Sequence, residues 1–404
     1  MKGLSSAPGD YVFFKSQVPL HKISIGSKQW RYYDFGPKSV PPLICLPGIA
    51  GTADVYYKQI MSLSVKGYRV ISLDLPRVWN HLEWVHAFEK FIDTINVHHV
   101  HLYGTSLGGF LAQIFAQHRP RRVKSLVLSN TFLDTEKFSA SMPWSPVVGW
   151  TPSFLLKRYI LTGIHDGPQE PFIADSVDFV VGQVETLSRD DLSSRLTLNA
   201  APASVGPLLL SDSLVTIMDT NDYCAIPQYL KDQVTERYPG ARRAIMKSGG
   251  DFPFLSRPDE VNLYLQLHLR RVGVEAKQDQ ISGASNDGNA GSLYDDKHGK
   301  REEDPQEGQG SSGSHFESQE PQSSNSAEKS HDTNGNQNED GPSVDQGSCD
   351  LPETCSLGEQ FLSIISMNQM ALAVITLFVH ASSSILLMIQ LNLGVSCTAN
   401  TFKA

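Results

Sequence analysis

The pentapeptide Gly104-Thr105-Ser106-Leu107-Gly108 follows directly on the apolar run Val100-His101-Leu102-Tyr103. A serine between two glycines, after a strand and before a helical segment carrying Phe110, Leu111, Ile114 and Phe115, is a G-x-S-x-G nucleophile elbow in its strand–turn–helix setting. The turn between strand and helix is tight, so small neighbours are required on both sides of Ser106. The motif therefore fixes a fold requirement and a candidate chemistry together.

The surrounding pattern agrees with the fold requirement. Residues 20–272 read as alternating strands and helices. Leu43-Ile44-Cys45-Leu46 is a short apolar run stopped by Pro47-Gly48, as expected of a buried strand. A helical segment is expected at about 54–65, a strand at 68–73 and an amphipathic helix at 81–95, ahead of the elbow strand. Further strands are expected at 123–128 and 214–218, and a last helix from 258 to about 270. Such alternation predicts an α/β fold, with a mostly parallel central sheet covered by helices on both faces. Residues 134–200 break the rhythm with Trp144, Trp150 and several prolines, and are expected to form a helical lid over the elbow.

Charge divides the chain. Residues 276–357 carry 17 Asp/Glu against 5 Lys/Arg, whereas residues 1–275 net +3. The globular part thus has no basic excess that would point to nucleic acid. The acidic stretch, rich in Ser, Gly, Asn and Gln, is too poor in apolar residues to offset ordering entropy and is expected to be a disordered linker over 273–357. Cys45, Cys224, Cys349, Cys355 and Cys397 lie far apart with no C-x-x-C pair, which favours a reducing compartment, and Cys45 is expected to be a buried small hydrophobe. No apolar core follows Met1-Lys2-Gly3, so no secretory signal is expected. No metal and no cofactor are expected.

Nucleophilic acyl chemistry needs a nucleophile, oxyanion donors, a base and an acid that orients the base. Ser106 is the candidate nucleophile. The N–H of Leu107, at the helix start, is one expected oxyanion donor. The other is expected in the loop 47–52, at Ile49, although that loop is also an ordinary strand-to-helix turn whose usual His-Gly start here reads Pro47-Gly48. Asp222, after the strand at 214–218 and before Pro227, is placed for the acid, with Asp219 and Asp134 as competitors and a solvated turn residue as the bland reading.

The base is where the pattern fails. The segment that should carry it reads Ser248-Gly249-Gly250-Asp251-Phe252-Pro253, with Asp251 at the histidine position. His268 lies ten residues past Pro258, roughly 15 Å along a helix, and is expected to be a surface or packing residue. His81, His86, His98, His99, His101, His118 and His165 fall outside the segment.

Several stretches, read in order, resemble the maspardin family of the α/β-hydrolase superfamily: Gly51-Thr52-Ala53-Asp54-Val55, Gly67-Tyr68-Arg69-Val70-Ile71, Gly104 to Gln113, Ser194-Arg195-Leu196-Thr197-Leu198-Asn199, Tyr238-Pro239-Gly240-Ala241-Arg242-Arg243-Ala244 and Glu260-Val261-Asn262-Leu263-Tyr264. They cover about residues 10–272. The resemblance implies an α/β-hydrolase fold without its catalytic histidine. It also implies a cytosolic protein associated with endosomal and trans-Golgi membranes that works through protein partners, receptor tails among them.

Two functions compete. One is a non-catalytic adaptor that keeps the hydrolase core as a scaffold. The other is a weak serine hydrolase of the esterase or lipase type using Ser106 with a relocated base. Beyond residue 272 the resemblance ends. Of residues 370–389, 15 are apolar and none is Asp, Glu, Lys or Arg, a length that fits a membrane span and, in the tail 358–404, a C-terminal anchor. Against an anchor, His380 and Ser382-Ser383-Ser384 interrupt it and no basic cluster flanks it. The product of a mis-spliced transcript is the other reading.

Overall fold

Short runs of β-branched and leucine side chains make strands that bury both faces, and here they assemble in one layer. The computed structural model describes residues 8–164 and 169–277. Their strands are β1 (His21–Ile25), β2 (Lys28–Phe35), β3 (Leu43–Leu46), β4 (Val70–Leu73), β5 (Val100–Thr105), β6 (Val123–Ser129), β7 (Val215–Thr220) and β8 (Arg242–Met246). They form one eight-stranded sheet in the order β1-β2-β4-β3-β5-β6-β7-β8. β2 pairs antiparallel with β1 and β4, and every other neighbouring pair is parallel.

The period of two along each strand sorts the core. On β3, Ile44 and Leu46 face one layer with Trp84, Phe88 and Phe115. Leu43 and Cys45 face the other, with Ile60, Leu63, Val261 and Leu265. Helices His81–Thr94 and Leu107–His118 thus cover one face, and Tyr57–Val65 and Pro258–Arg271 the other. Cys45 is fully enclosed, as its apolar strand implies, and burial pushes its thiol well up.

The expected strands and helices are present, with two sets of differences. The segment from residue 53 opens as a 3-10 turn, Ala53–Tyr56, before the helix Tyr57–Val65. The hairpin β1–β2 and the edge strand β8 had no counterpart in the sequence reading. Their half-exposed faces carry Lys22, Lys28, Arg31, Arg242 and Arg243, so they lack the continuous apolar signal of buried strands. The insertion between β6 and β7, expected as a lid and so named below, consists of helices Glu136–Ser141, Ser153–Thr162, Pro171–Thr186 and Arg189–Ala200, with a 3-10 turn at Ser145–Trp150. The linker expected over 273–357 begins too early: Val274 packs in the core and Lys277 N–H donates to Gly67 O (3.0 Å), while 278–357, His165 and the segment 370–389 lie outside the described residues, among which no helix is long and apolar enough to cross a membrane.

Candidate functional site

In a parallel sheet the loops at the carboxyl ends of the strands converge on one edge. The loops after β3, β5, β6, β7 and β8 meet here, and each carries one part of the candidate site. Ser106, directly after β5, has φ +50° and ψ −122°, a left-handed backbone that costs a non-glycine residue about 1–3 kcal/mol. The flanking glycines make it possible. A methyl group on Gly104 would lie 2.5 Å from Gly108 O, and one on Gly108 would lie 2.1 Å from Leu46 O. Ser106 N–H donates to Ser129 O (3.1 Å), and Thr131 Oγ1 donates to Ser106 O (2.7 Å). The Ser106 hydroxyl has no hydrogen-bond partner among the described residues.

The loop after β3 faces that hydroxyl. A methyl group on Gly48 would sit 3.6 Å from Ser106 Oγ. Gly51 N–H closes the loop onto Gly48 O (3.1 Å), which places Ile49 inside the turn. Leu107, the other expected donor, is the first residue of its helix, where N–H groups have no intrahelical acceptor. Electrostatically this is an anion-favouring corner.

The loops after β7 and β8 join through Asp222. Its Oδ2 accepts N–H bonds from Gly249 (2.8 Å) and Gly250 (2.9 Å), whereas Oδ1 is enclosed and accepts none. Asp251, next in the chain, turns its Oδ1 onto Ala225 N–H (2.6 Å). Burial, reinforced by the Asp222 charge, lifts the Asp251 carboxyl to about 6, against the pull of Ala225 N–H and Lys231. The competitors are engaged elsewhere. Asp219 accepts Asn130 N–H (2.8 Å), and burial raises its carboxyl. Asp134 caps the lid's first helix by accepting Glu136 N–H (3.0 Å).

No described histidine enters the site. His268 is 2 % exposed and shares Ser125 Oγ with His101 at the opposite end of the strands. His81 bonds Leu198 O (2.8 Å), His118 bonds Ile114 O (2.9 Å), and His86, His98 and His99 are exposed. Among the described residues no group of three or more His, Cys, Asp or Glu is arranged to hold a metal.

Two residues that tie these loops together were not singled out from sequence. Asn130 (φ +42°) receives Thr220 N–H on Oδ1 (3.1 Å) and donates from Nδ2 to Gly250 O (3.2 Å), linking the loop after β6 to the end of β7 and the loop after β8. Arg195, in the lid, donates to Ile49 O and Gly51 O. Arg195 had a signal: it stands at i+3 from Leu192 and next to Leu196 on the buried side of its helix. Asn130 had none, because its role comes only from strands meeting.

Comparison with known proteins agrees with this architecture. Residues 41–167 match the α/β-hydrolase fold family. Solved structures with the same fold include a hydrolase from Pseudomonas aeruginosa PA01 (16 % identity, TM-score 0.54, covering 63 % of this chain and 98 % of that one). Another is the enol-lactonase from Burkholderia xenovorans LB400 (13 % identity, TM-score 0.54, covering 62 % of this chain and all of that one). Sequence similarity is far higher to maspardin from Mus musculus, 47 % identical over 267 residues, and from Danio rerio, 47 % identical over 269 residues. The match takes in 86 % of either relative and 64–65 % of this chain. The chain therefore belongs to the maspardin family and has the α/β-hydrolase fold.

Proposed function

We propose that this protein is a hydrolase core without efficient catalysis, working as a protein-binding adaptor in endosomal and trans-Golgi trafficking or signalling. One observation carries the reading. The segment expected to carry the base holds Asp251, turned onto Ala225 N–H, and Asp222, the expected acid, keeps an oxygen that accepts no hydrogen bond. A Ser–His–Asp device works because the imidazole takes the hydroxyl proton while the carboxylate fixes its ring. Among the described residues Ser106 has neither partner. The lid supplies surface suited to protein contact: Trp150 and Phe154 are 74 % and 65 % exposed, and Phe154 lines a groove of about 620 Å³ together with Leu161, Ile164, Lys157 and Arg158. The family resemblance supports cytosolic placement, with recruitment to endosomal membranes through receptor tails or other protein partners, as part of this proposal. An anchor at 370–389 would be a second route to the membrane.

The second reading, a weak serine hydrolase, is favoured by the strained Ser106 and by Gly48 facing its hydroxyl. Labelling the purified protein with a fluorophosphonate probe, beside Ser106→Ala, separates the two. Labelling near background supports the adaptor. Rapid Ser106-dependent labelling, with ester turnover abolished in Ser106→Ala, rejects it.

A further inference from the structure

Arg195 is 1 % exposed, yet only its Nη1 is bonded, to Ile49 O (3.1 Å) and Gly51 O (2.5 Å). Its Nε is enclosed with no partner. Asp74, the carboxylate whose charge it feels most, is engaged by Ala53 N–H (2.6 Å) and Arg31 (3.4 Å). An under-partnered buried cation is a poor structural element, and an apolar side chain of similar volume often does as well or better. What Arg195 does that an apolar residue does not is hold two carbonyls of the loop opposite Ser106. A trans peptide points its N–H opposite to its C=O, so gripping Ile49 O and Gly51 O fixes how the turn's N–H groups are aimed. A second link runs alongside: Thr52 Oγ1 donates to Gln183 Oε1 (2.8 Å) in the lid helix Pro171–Thr186.

We propose that Arg195 is a positioning residue which makes the shape of the 48–52 loop conditional on the docked lid, so that loop and lid open as one unit. The proposal rests on the Ser106 cleft being the functional site, and it holds for either reading of its activity. In a partner-binding protein it would let occupancy of the cleft be felt at the lid surface.

Amide hydrogen exchange on the full chain tests it. In the unmodified protein, the bonded amides of Gly51 and Ala53 should open with the same urea dependence as the helix Arg189–Ala200; a lid helix that opens while they stay protected overturns the proposal. Arg195→Met, which fills the space without donating, should speed exchange at Gly51 and Ala53 at least tenfold and leave β6 unchanged. Arg195→Lys, which keeps a donor, should recover most of that protection. If Met and Lys behave alike, Arg195 only packs and the proposal fails. Fast ester turnover through Ser106 would remove the adaptor reading and leave these exchange results as they are.

Discussion

At the scale of single residues, the site is defined by what surrounds two carboxylates. Asp251 titrates near 6 because its ionised form is desolvated beside Asp222. A carboxyl whose value is raised on folding holds its proton more tightly in the native state. Its contribution is therefore favourable at low pH and is lost as pH rises through about 6. Asp251→Asn keeps an acceptor for Ala225 N–H but carries no charge. It should stabilise the protein by about 1–2 kcal/mol above pH 6.5 and have little effect at pH 4, as read by urea denaturation at the two pH values. Asp251→His addresses the chemistry: with an imidazole between Ser106 and Asp222 Oδ1, ester hydrolysis should rise above background and disappear again in the Ser106→Ala double variant. General-base assistance is worth about 10²–10⁴-fold where geometry is right, which bounds the expected gain.

At the scale of elements, the sheet is pinned at both ends. At the site end, the helix Leu107–His118 lies so close to β5 and the loop after β3 that Gly108 has no room for a methyl group. Gly108→Ala should cost at least about 1–3 kcal/mol from overpacking against backbone, measurable as a lowered denaturation midpoint. At the far end, a polar chain crosses β5, β6, β7 and the last helix: Ser125 Oγ lies 2.6 Å from His101 Nδ1 and 2.7 Å from His268 Nε2, and Thr216 Oγ1 lies 2.8 Å from His268 Nδ1. Burial lowers His101 to about 4 and His268 to about 3, with Lys124 and Arg271 adding to the effect. Both rings are neutral in the fold and charge readily when unfolded. Their stabilising share is therefore complete above about pH 6.5 and is lost as pH falls toward 4. The loss for one such ring is about 3 kcal/mol, and His101→Gln should flatten the fall in stability between pH 6.5 and 4.5 in a denaturation series. The sequence marked both histidines as outside the catalytic segment. It gave no sign that they meet, because 167 positions of chain separate them and only the parallel pairing of β5 and β6 under the last helix brings them to one serine.

At the scale of the whole molecule, the buried members of both core layers among the described residues lie between Phe14 and Val274. A chain ending after residue 357 should keep its cooperative unfolding transition. If residues 370–389 anchor the protein, that truncation should also move it from the membrane fraction to the soluble fraction; identical soluble fractionation of both forms assigns any membrane association to partners of the folded part. What the sequence determined by itself was local or periodic: the elbow, from two glycines around a serine; the buried strands, from unbroken apolar runs; the helical insertion, from a broken rhythm; and Asp251 before Phe252-Pro253, where a histidine was expected. Tertiary structure decided what depends on distant chain coming together. It left Asp222 with one unserved oxygen, turned Asp251 toward Ala225, made Asn130 the tie between the end of β7 and the loop after β8, and set Arg195 under the loop that faces Ser106. Those roles follow from burial and hydrogen-bond geometry, which residue type and spacing along the chain do not encode.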